Sequence, residues 1–319
     1  MKRLVVLLLL GILAPIVSAQ SRPRIVSLSV DPGECPALSE AHPLRRGLVE
    51  AGWDPQRTIT IERRCFQEYG QLRGIVHEIV ASRPAVIVVG GPAVFTLKEM
   101  VTTIPVVFWD VGDPVQYGIV ATLARPGGNF TGFAGLANQL NAKRLDILRE
   151  ILPALTRVGI LANPDYRPHV PQIAELKQTA TKLGVTVTVY EARNRPEVET
   201  AIRTMSQAGE KALLVLPDAA FLTLRAYITE SALKHRLPCA APFADFVAAG
   251  GLFSYAADYS DMGRRVAGYV DRILKGEKPA ELPVQQPTKF VFTINMKTAK
   301  ALEVTIPGSI LLRADRVVE

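Results

Sequence analysis

From Arg24 onward the chain alternates short β-branched runs with longer stretches at helical spacing, and that alternation commits it to βαβ units around parallel sheets. Parallel strands need a crossover, usually a helix, and strands buried on both faces read as unbroken apolar runs. Such runs occur at Ile25 to Val30, Thr58 to Ile61, Val86 to Val89, Val106 to Phe108, Val158 to Leu161, Val185 to Tyr190, Ala212 to Leu216 and Leu252 to Tyr255. Between them Leu72, Ile75, Val76 and Ile79 share one helical face, as do Leu145, Leu148 and Leu152, then Phe221, Leu224 and Ile228, then Met262, Val266, Val270 and Ile273. Both halves repeat this pattern. Pro, Gly, Glu and Lys interrupt it at Arg125 to Asn129 and again at Lys275 to Pro287, the candidate crossings between two lobes. A further strand, Phe290 to Ile294, and a short helix, Met296 to Leu302, follow the second interruption.

The first nineteen residues stand apart. Lys2 and Arg3 precede an apolar run from Leu4 to Val17, and Val17-Ser18-Ala19 forms a small-residue cleavage signature before Gln20. This predicts export with removal of residues 1–19, and no Cys follows the cleavage site to accept a lipid. The remaining ~300 residues suit two domains of ~150 residues each. Net charge is +7, of which Lys2 and Arg3 supply two, and the Lys and Arg are scattered among Asp and Glu. No run of five like charges appears, which argues against nucleic-acid binding.

Three cysteines in an oxidising compartment allow at most one internal disulfide. Cys35 follows the first strand and Cys65 ends the second, so neighbouring parallel strands would place them close enough to bridge; three free buried thiols are the alternative. Cys239, after Pro238, reads as a core thiol.

In open parallel sheets ligands bind beyond the carboxyl ends of the strands, where loops and helix N-termini converge. Gly90-Gly91-Pro92-Ala93 follows one strand and suits either an anion-holding turn or a plain strand-to-helix turn. Trp109 and Asp113 follow the next, and Asp113 can cap a helix starting at Pro114 while facing the cleft. In the second half the corresponding ends carry Asn163, Asp218, and Tyr255 with Asp258. His42 and His77 fall on predicted helices, His169 between prolines and His235 at a helix end, and nucleophile elbows, metal-protease helices and phosphate loops are all missing from the sequence. No catalytic residue, metal or cofactor is expected.

These residues resemble the type I periplasmic substrate-binding proteins of ABC transporters, in the subgroup related to aromatic-amino-acid binders. The resemblance spans the mature chain. It rests on Ile104-Pro105-Val106-Val107-Phe108 leading to Val111-Gly112-Asp113-Pro114-Val115, on Leu123 to Gly132 with its Arg-Pro-Gly-Gly-Asn-Phe-Thr-Gly core, on Ala249-Gly250-Gly251-Leu252, and on Leu282 to Phe290. It implies an α/β fold of two Rossmann-like lobes joined by a three-crossing hinge, the N-terminal lobe formed by 20–128 with 257–284 and the C-terminal lobe by 129–256 with 285–319. It also implies a periplasmic, monomeric receptor that traps a small polar ligand such as an amino acid and delivers it to a membrane permease. The cleft would be lined by Gly91, Pro92, Asp113, Asn163, Asp218, Tyr255 and Asp258, with Trp109 or Tyr255 covering the ligand's apolar part. The family usually has Ser or Thr where Gly91 stands and Gly where Ala256 stands. Two other readings use the same architecture: an exported hydrolase with paired carboxylates such as Asp113 and Asp218, and a sensory module, which would normally carry a membrane span or output domain.

Overall fold

The computed structural model describes residues 22–30 and 35–319; the leader at 1–19 lies outside the described residues. The first sheet holds five parallel strands: β1 (Arg24–Val30), β2 (Thr60–Phe66), β3 (Val86–Gly90), β4 (Val106–Val111) and β5 (Phe130–Ala134), in the order β2-β1-β3-β4-β5. The second holds seven: β6 (Arg157–Ala162), β7 (Thr186–Glu191), β8 (Leu213–Val215), β9 (Cys239–Ala241), β10 (Phe253–Ala257), β11 (Phe290–Asn295) and β12 (Arg316–Val318). Their order is β12-β11-β10-β9-β8-β6-β7, and only the β10–β11 pairing is antiparallel.

Strand alternation divides each sheet's apolar residues between two helical layers. In the first lobe Val86 and Val88 pack with the helices Pro43–Glu50 and Tyr259–Leu274, while Ile87 and Val89 pack with Leu72–Ala81 and Ala93–Met100. In the second, Ile160 and Leu214 face the helices Ala137–Ile151 and His169–Lys182, while Leu161 and Leu213 face Arg195–Gln207 and Arg225–Lys234. Helix Tyr259–Leu274 therefore returns to the first lobe after ten strands. Its Met262, Val266 and Val270 share a core with Ile25 and Leu48.

The chain passes between the sheets three times: between Ala134 and Ala137, between Ala257 and Tyr259, and between Gln285 and Phe290. The first crossing comes later than a boundary at 128/129 would place it, because Phe130–Ala134 pairs with β4 and belongs to the first sheet. The last first-lobe segment lies alongside β5. Thr131 donates through Oγ1 to the Leu282 carbonyl at 2.6 Å, and Gln285 and Gly132 are joined N to O at 3.0 Å.

Cys35 and Cys65 are bridged, with Cα atoms 5.6 Å apart, and Cys239 is a buried free thiol. The bridge pins the segment after β1 to the end of β2, across a sequence separation of 30 residues. Closing a loop of that length stabilises by about 2–4 kcal/mol. Replacing both cysteines by serine is expected to lower the calorimetric melting temperature by roughly 4–16 °C.

Candidate functional site

A cavity of about 470 Å³ opens between the carboxyl ends of the two sheets. The first lobe contributes Ser27 to Val30, Gly90 to Pro92, and Trp109 with Asp110; the second contributes Tyr166, Gln172, Pro217 to Ala219 and Phe243; Asp258 and Tyr259 stand at a crossing. Local backbone chemistry explains the wall at Gly90 and Gly91. A Cβ on Gly90 would lie 2.7 Å from Nε1 of Trp109, so only glycine lets the indole lie against the chain there. Gly91 has φ +63°, a left-handed turn that leads through Pro92 into the helix Ala93–Met100.

Asp218 is the best-placed charged group. It caps the short helix Ala219–Thr223, its Oδ1 accepting from the Ala220 amide at 2.6 Å, and from the Tyr69 hydroxyl of the opposite lobe at 3.3 Å. The residue is only 3% exposed, yet among the described residues Oδ2 has no hydrogen-bond partner. Burial pushes its pKa up to about 6 against the pull of the hydrogen bonds from Ala220 and Tyr69. Behind it, His169 staples the ends of β6 and β8: Nδ1 accepts from the Asn163 amide at 2.9 Å, which leaves Nε2 to donate to the Pro217 carbonyl at 3.1 Å. Burial lowers that imidazole to about 4, so it is neutral.

On the facing wall the register of β4 against β5 shifts between Phe108 and Val111, and Asp110 within this bulge has φ +54°. Bulges re-aim side chains, and Asp110 in this one lines the cleft, with Oδ1 also close to Gly135. Its Oδ2 accepts from the Tyr259 hydroxyl at 2.7 Å, and burial raises its pKa to about 6. The Tyr259 ring in turn lies edge-on to Trp109, centroids 5.9 Å apart, and 5.5 Å from Phe243. Arg144, fully buried in the second lobe, donates to the Tyr255 carbonyl at 3.0 Å and to Asn141 Oδ1 at 2.5 Å.

Of the residues singled out from sequence, Gly91, Pro92, Trp109, Asp218 and Asp258 line this cavity. Asp258 also caps helix Tyr259–Leu274 through the Ser260 and Asp261 amides. Three expectations are corrected. Asp113 lines a separate, smaller cavity of about 120 Å³ beside Gly135 and Gln286, where it caps the turn at Val115 and Gln116. Asn163 is buried and does not line the cavity; its amide is held by His169 and its side chain by the Asp165 amide. Tyr255 turns into the second core, stacked on Phe290 at 5.9 Å, because alternation along β10 gives the cleft Ala256 instead. Asp113 and Asp218, the example of a carboxylate pair given for a hydrolase, line different cavities. Among the described residues no cluster of three or more His, Cys, Asp or Glu side chains is arranged to hold a metal.

Sequence reasoning missed Asp110, Tyr259 and Tyr69. The signal for Asp110 was present: an acid inside the apolar run Val106 to Val111 needs a reason to be there.

Two α/β lobes, linked by three crossings and facing each other over a polar and aromatic cavity, define the type I periplasmic-binding-protein fold. More narrowly, the chain belongs to the ABC transporter substrate binding protein family, whose model matches residues 34–318. A protein of Clostridioides difficile named tyrosine-binding protein is 24% identical over 277 residues, 85% of this chain and 78% of that one. A conserved domain protein of Vibrio cholerae shares the fold with a TM-score of 0.85 and 26% identity, over 92% of this chain and 99% of its own. A Streptococcus pneumonia ABC domain solved in complex with L-Trp gives a TM-score of 0.82 at 24% identity, over 92% and 100%. Among the described residues no helix is long and apolar enough to cross a membrane.

Proposed function

We propose that this protein is the exported solute receptor of an ABC importer, that it traps an amino acid with an aromatic side chain, and that it delivers this ligand to a membrane permease. The observation that carries the ligand class is the unpartnered Oδ2 of Asp218 on the cavity wall. A buried carboxylate oxygen lacking a donor is costly unless a ligand supplies one, and an ammonium group supplies a charge-assisted bond. The ligand's carboxylate lies at the N-terminus of helix Ala93–Met100, behind Gly91 and Pro92, where the helix dipole favours negative charge. Trp109 and Phe243 cover its ring. The names of the relatives support the same class.

Binding and closure are one step in this reading. The bond from Tyr69 to Asp218 spans the lobes, so a ligand held at Asp218 favours the arrangement in which they meet. The closed face then docks on the permease, outside the membrane. Isothermal titration of refolded, ligand-free protein against the twenty amino acids tests this. An aromatic amino acid is expected to bind with micromolar Kd or tighter and, at a hundredfold excess over Kd, to stabilise the fold by about 2.7 kcal/mol. No heat and no melting shift with any of the aromatic amino acids would overturn it.

A further inference from the structure

Asp110 is a second acceptor in the same cavity, and the receptor reading leaves it without a role. Two features aim it there: the bulge between Phe108 and Val111, and a left-handed backbone at φ +54°. Such conformations persist where surrounding structure enforces them, and they concentrate at binding sites. Among the described residues its side chain accepts one hydrogen bond, from Tyr259. Among the described residues it forms no ion pair: the cation whose field reaches it, Arg144, directs its donors to Tyr255, Asn141 and Pro242. Asp110 and Asp218, from opposite lobes, line one and the same cavity, as does Tyr166. Trp109 stands beside Asp110 in the bulge, with the edge of the Tyr259 ring against it.

We infer that Asp110 is a specificity-determining residue that accepts a hydrogen bond from a donor at the far end of the ligand's side chain, so that the cavity selects rings bearing an N–H or O–H over a plain phenyl ring. This rests on the proposed placement of the ligand's ammonium at Asp218. With that end fixed, the ring points across the cleft toward Trp109 and Asp110. An indole N–H or a phenol O–H satisfies the carboxylate there, with Tyr259 holding its other oxygen. A phenyl ring displaces water from the carboxylate and returns nothing, and leaving a charged acceptor buried without its donor lowers affinity by about ten- to a hundredfold.

The test compares L-Trp, L-Tyr and L-Phe by titration calorimetry on the wild type, Asp110→Gly and Asp110→Asn. Glycine suits the left-handed backbone, so Asp110→Gly removes the carboxylate without adding strain. Asparagine also tolerates that conformation and keeps one acceptor without the charge. Wild type is expected to bind the better of L-Trp and L-Tyr at least tenfold more tightly than L-Phe. Asp110→Gly is expected to lose that preference by weakening the donor-bearing ligand, with L-Phe held within about threefold. Asp110→Asn should fall between. Equal wild-type affinity for L-Phe, or an equal loss for all three ligands in Asp110→Gly, would overturn this inference while leaving the receptor reading intact. Failure of all three to bind folded wild type would overturn the receptor reading itself. Should Asp110→Gly not fold, the wild-type ratio and Asp110→Asn still decide.

Discussion

Replacing Asp218 by asparagine is expected to weaken the binding of an aromatic amino acid by about a hundredfold or more, and at neutral pH to raise the melting temperature of the empty protein. Both effects come from one carboxylate. Removing one partner of a buried, hydrogen-bonded charge pair costs about 2–5 kcal/mol of binding, or roughly thirtyfold to several thousandfold. Asparagine keeps an oxygen for the Ala220 amide, so the cap on helix Ala219–Thr223 survives and the loss reports on the ligand. In the empty protein the same group opposes folding. Its folded pKa of about 6 lies above the ordinary carboxylate value of 3.8. Folding therefore favours the protonated form, and the penalty is absent below the unfolded value, grows as pH rises between the two, and is fully present above 6. That penalty is at most about 3 kcal/mol, several degrees of melting temperature. The difference between Asp218→Asn and wild type should therefore be largest at pH 7 and vanish toward pH 4. Taking the difference also cancels His169, whose lowered pKa acts in the opposite sense by destabilising the fold as pH falls below its ordinary 6.5. Ligand affinity of the wild type should fall as pH drops through 6, because an ammonium needs the ionised carboxylate. A variant that lost affinity without this gain in stability would show that Asp218 serves the fold, not the ligand.

The alternation of apolar runs was enough to locate nine of the strands, since a parallel strand buried on both faces has a composition that loops lack. The strands it missed are those whose composition hides them. Phe130–Ala134 carries a glycine at its centre, Cys239–Ala241 has three residues, and Arg316–Val318 lies exposed at a sheet edge. Missing the first of these moved the expected lobe boundary. The site was half legible. Strand ends mark where a cleft must be, and Asp218 and Trp109 are found there. Which way a side chain turns at a strand end depends on register, and a one-residue shift exchanges cleft for core. Tyr255 and Asp110 were lost for that reason. Alternation sends Tyr255 inward, and a bulge, marked in the sequence only by an acid within an apolar run, places Asp110 on the cavity wall. Asp113 was misplaced for another: a turn-capping aspartate looks the same in sequence whether its loop faces the cleft or the far side of a crossing.

The glycines of the segment Arg125 to Gly132 separate by the same logic, and they give the largest effect on folding. Gly132→Ala is expected to destabilise by about 4 kcal/mol or more, a loss of roughly 8–16 °C or a failure to accumulate soluble protein. Gly132 has φ +148°, and a Cβ there would lie 1.9 Å from the carbonyl oxygen of Phe108 on the neighbouring strand. The obstacle is backbone, which has no rotamer to change, so β4 and β5 would have to part. They would part next to the bulge that aims Trp109 and Asp110, and where the Gln285 amide donates to the Gly132 carbonyl across the returning segment. Any protein that does fold should therefore also bind ligand more weakly. Gly128, four residues earlier in the same motif, has open space around it and no left-handed backbone. Gly128→Ala should be neutral within about 0.5 kcal/mol. Thermal melts of the two single variants decide the matter. Equal stability would mean that β4 and β5 are not held as closely as this contact requires, and that the aim of Asp110 rests on something other than the close approach of these two strands.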